Sequence, residues 1–528
     1  MRWLGVEIPS PPRESGSTTR MRSAALRLLL AGIAILAVLG AGRVPAGSRA
    51  AAIRSPLEIC KLSTVMGKSD FSQGLPLETS YIALPRERYG FIATSADWRQ
   101  TFDVAQLGGG WYVDANPPAC ATSPGGMDRA LLIRVLNWSA DRIPRLESMV
   151  DAHPGSLWLV GNEPDCIHQD NVLPEDYAGI YHQIYTIIKD RDPTARVSPG
   201  GIVQPTPLRL AWLDRVLDEY ARLNGDALMP VDVWNIHNAI LQEVSKDCDP
   251  YNAWGADIPP GFSDCYGVLR EMEDNDDLGI FTQQIWDFRA WMSERGYAGY
   301  PLILTEFGVL MPFESFDVAR VNAFMDATFA FLRTATSDDP ETLGDPDDGY
   351  RLVQRWAWFS LDVPFWDPVT NEGFNGNLFD PYTTDITNYG LNFATHTEPL
   401  PALDYIELRP GGIRFEPLGP VGVGELVTRK VEVEVRNLGS LDSGPFTVRL
   451  AYVGPPSDEL EQTVSLPAGS STWLAFNLVQ LEVGAYGITV SVDANNEVLE
   501  TTECDNLLEA TMLVPSDLAY LPLIARNH

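Results

Sequence analysis

The stretch LWLVGNEPD, residues 157–165, and the segment YAGIYHQIYTIIK that follows it at 177–189 decide how the chain is read. Four apolar residues in a row, too few for a helix, make a strand buried on both faces. Pro164 then breaks the strand into a loop. In the second segment Tyr177, Tyr181, Ile184 and Ile188 recur at helical spacing. This strand–loop–helix unit repeats along the chain. Short apolar runs stand at 89–94, 110–115, 131–138, 157–162, 196–202, 231–238, 302–307 and 355–361, with longer amphipathic stretches such as 176–190 and 207–223 between them. Alternation of this kind implies parallel strands joined by right-handed crossovers. Eight strands within about 275 residues fit a (β/α)₈ barrel. A doubly wound open sheet is the alternative, but no Gly-rich phosphate turn follows the first strand, so the barrel is favoured.

Beyond residue 403 the period changes from helical to alternating. Strand patterns at 430–436, 446–453, 462–466, 472–478, 486–492 and 508–514 are separated by turn clusters such as Pro455-Pro456-Ser457-Asp458 and Pro467-Ala468-Gly469. About 110 residues of this pattern predict an immunoglobulin-like β-sandwich. The expected organisation is a signal peptide and extension at 1–50, a barrel at 55–402, a sandwich at 403–514 and a tail at 515–528.

The 528 residues are 45% hydrophobic and 21% charged, which excludes a disordered or collagen-like chain. Lys+Arg 38 against Asp+Glu 71 gives a net charge of −33. Such a surface repels phosphate backbones and anionic lipid, which argues against nucleic-acid and membrane-surface partners. The apolar run 28–41, preceded by Arg20, Arg22 and Arg27, is too short to span a bilayer comfortably and fits a signal peptide. Cleavage is expected near Ser48-Arg49-Ala50, with an uncleaved N-terminal anchor as the alternative. The protein is therefore expected to be secreted or held at the cell surface. Six cysteines downstream of such a segment favour disulfides. Cys248 and Cys265, which bracket a Pro/Gly/Asp-rich loop, form the best pair. Cys120 and Cys166 each follow a strand end, where they could staple neighbouring loops. No CxxC or HExxH pattern occurs, so a zinc site has little support and no cofactor is expected.

Two carboxylates stand out by position. Glu163 ends the fourth apolar run and Glu306 ends the seventh, PLILTEFG at 301–308. The C-terminal strand ends of such a barrel form its active-site mouth. A carboxylate buried there is costly without a partner or a task. Two that converge are what glycoside hydrolysis requires, one to protonate the leaving oxygen and one to attack the anomeric carbon or activate water. Their environments should separate their pKa values, one staying ionised and the other protonated. As neighbours, Asn162 and Glu163 can both serve the site only where the strand breaks, and Pro164 supplies that break. His237, in VWNIHNA at the end of the sixth run, reads equally well as a site group or as a structural histidine. Trp358 of RWAWFS is the candidate sugar platform, with Trp356 packing the core. Trp111-Tyr112 and Asn137-Trp138 are candidate subsite linings, and Arg134 could keep a nucleophile ionised.

Asn162-Glu163-Pro164 on the fourth strand and Thr305-Glu306-Phe307-Gly308 on the seventh resemble clan A glycoside hydrolases. The resemblance spans residues 89–362. It implies that Glu163 is the acid/base, that Asn162 binds the sugar 2-hydroxyl and that Glu306 is the nucleophile of a retaining enzyme, with carboxyls about 5–5.5 Å apart. The clan often continues two residues beyond His237 with an aromatic, where this chain has Ala239. WYVDAN, GNEPD, VLPEDYAGIYHQI and VSPGGI resemble endo-β-1,3-glucanases of the family 128 type, and families 39 and 5 are also similar. In the sandwich, VEVEVRNLGSLDSGPFTVRL and VDANNEVLETTECDN resemble the CARDB domain, which implies a spacer or adhesion module.

Three other features carry less. Gly67-Lys68-Ser69 lacks the Gly of a phosphate loop, since Leu62 stands there. The acidic run DDPETLGDPDDG at 338–349 lacks calcium-loop spacing, and no GxSxG elbow occurs. The expected function is hydrolysis of a β-linked carbohydrate. The alternative is a non-catalytic surface protein that binds glycans through a barrel cleft.

Overall fold

A computed structural model of the chain describes residues 83–250, 254–337, 343–366, 373–416, 419, 421–422, 424–454 and 456–516. The apolar run 28–41, Cys60 and the 67–69 motif lie outside the described residues. So does all of the tail beyond residue 516.

Eight short parallel strands form one sheet: β1 (Tyr89–Ala93), β2 (Trp111–Asp114), β3 (Asp128–Ile133), β4 (Leu157–Val160), β5 (Arg196–Pro199), β6 (Trp234–His237), β7 (Leu302–Phe307) and β8 (Arg355–Trp358). Their order is β5-β4-β3-β2-β1-β8-β7-β6. The gap between β5 and β6 is bridged at Ile202–Ile236. There the N–H groups of Asp232 and His237 donate to the carbonyls of Val197 and Ile202 at 3.0 and 2.9 Å. The sheet thus closes into the barrel that the strand–helix alternation predicts. Inward side chains such as Ile92, Val113, Leu132, Leu157, Leu159 and Ile303 fill its interior, and a larger apolar cluster joins the outer strand faces to the helices.

The helix Pro174–Arg191 shows why these segments form and dock. Pro174 sits at its start, Glu175 and Asp176 lie in the first turn, and Lys189 and Arg191 lie in the last. Each suits the helix dipole. The buried side chains Tyr177, Tyr181, Ile184 and Ile188 form the face that packs on the barrel. Helices Ile143–Ala152, Pro207–Leu223, Leu278–Glu294, Val318–Thr334 and Asn388–Thr397 likewise bury apolar side chains, without the acidic first turn. The third strand departs from its expected span. It runs from Asp128 to Ile133, and in the turn beyond it Asn137 takes a left-handed conformation, φ 51°. Arg134 therefore lies just past the strand rather than deep on it. Between β2 and β3 no α-helix intervenes, only the 3₁₀ turn Pro124–Gly126.

The second region is all antiparallel. Strands β9 (Leu408–Phe415), β10 (Val427–Asn437) and β13 (Ser471–Leu481) form one sheet, and β11 (Pro445–Val453), β12 (Asp458–Ser465), β14 (Gly484–Ser491) and β15 (Leu507–Val514) the other. Alternate residues face inward, with Val431, Val433 and Val435 from one sheet meeting Phe446, Val448, Leu450 and Ile488 from the other. The first of these strands is absent from the sequence expectation. Its Pro410-Gly411-Gly412 interrupts the alternation, and pairing with β10 holds it in place across a register shift at Glu434/Val435.

The sandwich covers the barrel where the β2–β3 crossover lacks a helix. Cys120 of that crossover is disulfide-bonded to Cys504 of the sandwich, Cα to Cα 5.7 Å. Ser123 N–H donates to Thr502 Oγ1 at 3.2 Å, and Arg129 Nη1 donates to the Thr501 carbonyl at 2.6 Å. The Tyr405 ring occupies the space a Cβ at Gly126 would need, its nearest atom 2.4 Å away. The expected Cys248–Cys265 pair is present. The stapling of loops through Cys120 and Cys166 is not. Cys120 faces the sandwich, while Cys166 is a buried free thiol.

Candidate active site

The barrel mouth gathers three of the expected site residues. Strand β4 ends at Val160, and the chain then passes through Gly161, φ 104°, and Glu163, φ 43°. A positive φ is easy for glycine and strained for glutamate. It turns the Glu163 side chain toward the barrel axis instead of letting strand alternation set it. The Glu163 N–H donates to the Gly201 carbonyl at 3.1 Å, and its own carbonyl accepts from Cys166 N–H at 2.9 Å. On β7 the pairing with β6 slips between Ile236 and His237, so His237 stands opposite Glu306. This bulge re-aims Glu306 toward His237.

His237 lies between the carboxylates. Its Nδ1 is 2.9 Å from Glu163 Oε1 and 3.6 Å from Glu306 Oε2. Only glycine allows so close an approach at position 201, where a Cβ would stand 2.5 Å from the His237 ring. Ligating atoms of Glu163, His237 and Glu306 all lie within 4.8 Å of one another. They are the one such group of three among the described residues, so a metal ion at this mouth would be held there. Both carboxylates are nearly covered, 11% and 12% exposed at the side chain.

Burial pushes Glu306 up to about 7; the Glu163 carboxylate adds to the rise, while His237 and Arg134 oppose it. Burial pulls His237 down, but Glu306 and the hydrogen bond to Glu163 outweigh it, so its pKa is raised. The group therefore shares protons, each member setting the charge of the next. Where the sequence asks for an ionised nucleophile, burial gives Glu306 an elevated pKa that His237 Nδ1, 3.6 Å away, only partly offsets.

The pocket around these groups is lined by Phe359, Phe374, Phe307, Leu310, His168 and Gln169 among others. Asn162 is buried beside it, its backbone N–H donating to Asp170 Oδ2 at 2.9 Å. The expected aromatics are elsewhere. Trp358 points outward against Phe307 and Phe329, its indole N–H bonded to the Gly376 carbonyl at 2.8 Å. Ala357 on β8 and Phe359 just past its end point inward, so Trp358 has the opposite parity and offers no platform to the pocket. Trp111 points inward, but low in the barrel, its indole between the Arg88 and Trp356 carbonyls at 3.3 and 3.2 Å. Trp138 lies past β3, with its indole on Gln183 at 2.8 Å, and lines a separate depression with Asn171 and Leu173. None of the three tryptophans lines the carboxylate pocket.

The sequence reading missed the frame that holds the Glu163 loop. Arg209, fully buried, pairs with Asp165 at 2.5 Å and Glu243 at 2.8 Å. Arg134 pairs with Asp170 at 2.6 Å. A Pro followed by two Asp within seven residues of a strand-end Glu was a visible signal, but their arginine partners are distant in sequence.

No curated protein matches the chain. A family 128 endo-β-1,3-glucanase from Pseudomonas viridiflava is 15% identical, over 60% of this chain and 98% of its own, with a TM-score of 0.37. A family 51 α-L-arabinofuranosidase from Bifidobacterium longum is 12% identical over 75% and 96%, with a TM-score of 0.35. A CARDB domain from Pyrococcus furiosus, solved in complex with di-metal ions, is 28% identical over 22% of this chain and all of its own, with a TM-score of 0.19. The sandwich itself matches the CARDB family model over residues 419–510, so this region of the chain is a CARDB domain.

Proposed function

We propose that the chain is an exported, retaining glycoside hydrolase acting on a β-linked polysaccharide or oligosaccharide. One observation carries the reading: two nearly covered carboxylates at the barrel mouth approach to within 4.8 Å and share His237. That approach suits the carboxyl spacing of about 5–5.5 Å that leaves no room for a water between nucleophile and sugar. In the first step Glu163 gives its proton to the glycosidic oxygen while a Glu306 oxygen bonds to the anomeric carbon, and the leaving group departs as an alcohol. In the second, Glu163 takes a proton from water, the water oxygen bonds to the same carbon, and Glu306 leaves as a carboxylate. Protonated His237 beside Glu306 favours the ionised nucleophile. Asn162 would hold the 2-hydroxyl. Two disulfides support export, and no helix among the described residues is long and apolar enough to cross a membrane.

The test is hydrolysis of a panel of β-glucans, xylan, mannan and aryl glycosides by the wild type, Glu163→Gln and Glu306→Gln. Activity on one glycan, lost in both variants, is the expected result. A wild type that cleaves nothing, yet binds a glycan as tightly as both variants do, would replace the enzyme with the glycan-binding alternative.

A further inference from the structure

The pocket wall carries polar groups that neither the carboxylate pair nor the fold uses. Gln169, 5% exposed, lies on the loop after Glu163 and lines the pocket with both carboxylates. Its Oε1 accepts from Arg134 Nη2 at 3.3 Å. A guanidinium only donates, so this contact fixes the amide with its oxygen toward Arg134 and its nitrogen away. Among the described residues Gln169 Nε2 has no hydrogen-bond partner. This amide nitrogen is not sealed in the protein but opens on the pocket, where an entering hydroxyl can accept from it.

The loop that presents it is held at both flanks. Arg209 pairs with Asp165, and Asp170 receives Arg134 together with the backbone N–H groups of Val135 and Asn162. Gln169 N–H itself donates to the Cys166 carbonyl at 3.1 Å. His168, on the same loop and wall, differs in that its Nε2 is buried without a partner. The donor the wall offers is the uncharged Gln169 amide, which suits a hydroxyl better than an anion.

We propose that Gln169 is a sugar-binding residue whose Nε2 donates to a ring hydroxyl of the sugar at the carboxylates, with Arg134 as the positioning residue that fixes the amide. The inference rests on the glycosidase reading and adds to it a determinant of sugar choice. The probes are laminarihexaose, cellohexaose and xylohexaose, tested for turnover by the wild type, Gln169→Leu and Gln169→Glu. Calorimetric binding is measured in the Glu306→Gln background. Gln169→Glu keeps an acceptor for Arg134 and removes the donor, so its melting temperature should stay near that of the wild type. In both variants KM and the hexaose Kd should rise about tenfold, the loss of one hydrogen bond, with kcat falling less than KM rises. KM and Kd within about twofold of wild type in both variants would overturn the assignment while leaving the enzyme intact. A wild type that cleaves nothing in the wider panel, mannan and aryl glycosides included, would overturn the glycosidase reading, and this inference with it.

Discussion

The barrel mouth and the seam between barrel and sandwich both bury carboxyl groups, and they use them differently. At the mouth, Glu163 and Glu306 face each other across His237 with open pocket on one side. At the seam, burial first and neighbouring acids second push Glu500 up to about 9 and Glu503 to about 7, and burial raises Glu407 to about 7. The seam's groups are occupied, though. Glu500 accepts from Leu408 N–H and Asn506 Nδ2, and Glu407 accepts from Thr501 Oγ1. A shifted pKa therefore marks burial at both places. Glu500 and Glu503 also line a depression at the seam, but there both carboxylates accept from Asn506. What sets the mouth apart is that its two acids converge on one histidine inside a single pocket.

Several substitutions can break that contrast. The largest effect belongs to the mouth. Glu163→Gln should lower kcat by roughly 10²–10⁴-fold, the range for a lost general acid, whereas Glu503→Gln should leave turnover near wild type. Equal losses in steady-state assays of the two variants would erase the distinction. Next comes the staple. Replacing Cys120 and Cys504 with Ser should cost about 2–5 kcal/mol of stability, read as a lower melting temperature, with activity at 25 °C retained by the folded fraction. An unchanged melting temperature would mean that the sandwich is an independent appendage.

Two pH experiments sharpen the comparison further. Ionised Glu306 is required for attack, and burial raises its pKa to about 7, so kcat/KM should fall as pH drops below about 7. His237 holds that pKa down, so His237→Phe should move the acid limb to higher pH; a limb that stays put would remove His237 from the pair's electrostatics. At the seam the effect is on stability and is smallest. Glu407, Glu500 and Glu503 have folded-state pKa values above the roughly 4.3 of an unfolded glutamate. Their contribution is complete below that value and is lost as pH rises through about 7 to 9. Melting temperatures measured from pH 5 to 9 should decline, and Glu503→Gln should make the decline shallower.

The strand count and the place of Glu163, His237 and Glu306 at the barrel mouth were legible because each depends on a local pattern: an apolar run, a break and a polar residue at the break. The exact strand ends were not, as the third strand shows. Trp358 was misread because aromatics stand at 356, 358 and 359, and only the closed barrel shows that Phe359, just past β8, has the inward parity. The Cys120–Cys504 bond was hidden because it joins residues 384 apart through a gap left by an absent helix. Gln169 could not be singled out from sequence, since its significance lies in which amide atom Arg134 occupies.

The account stands on Glu306 forming a covalent bond to the sugar. The most direct measurement is mass spectrometry of peptides from the wild type inactivated with a 2-deoxy-2-fluoro aryl glycoside of the sugar it cleaves, paired with NMR of the first product anomer. A fluoroglycosyl adduct on the peptide containing Glu306, with retained configuration, is the predicted result. Inverted product with no adduct would contradict it.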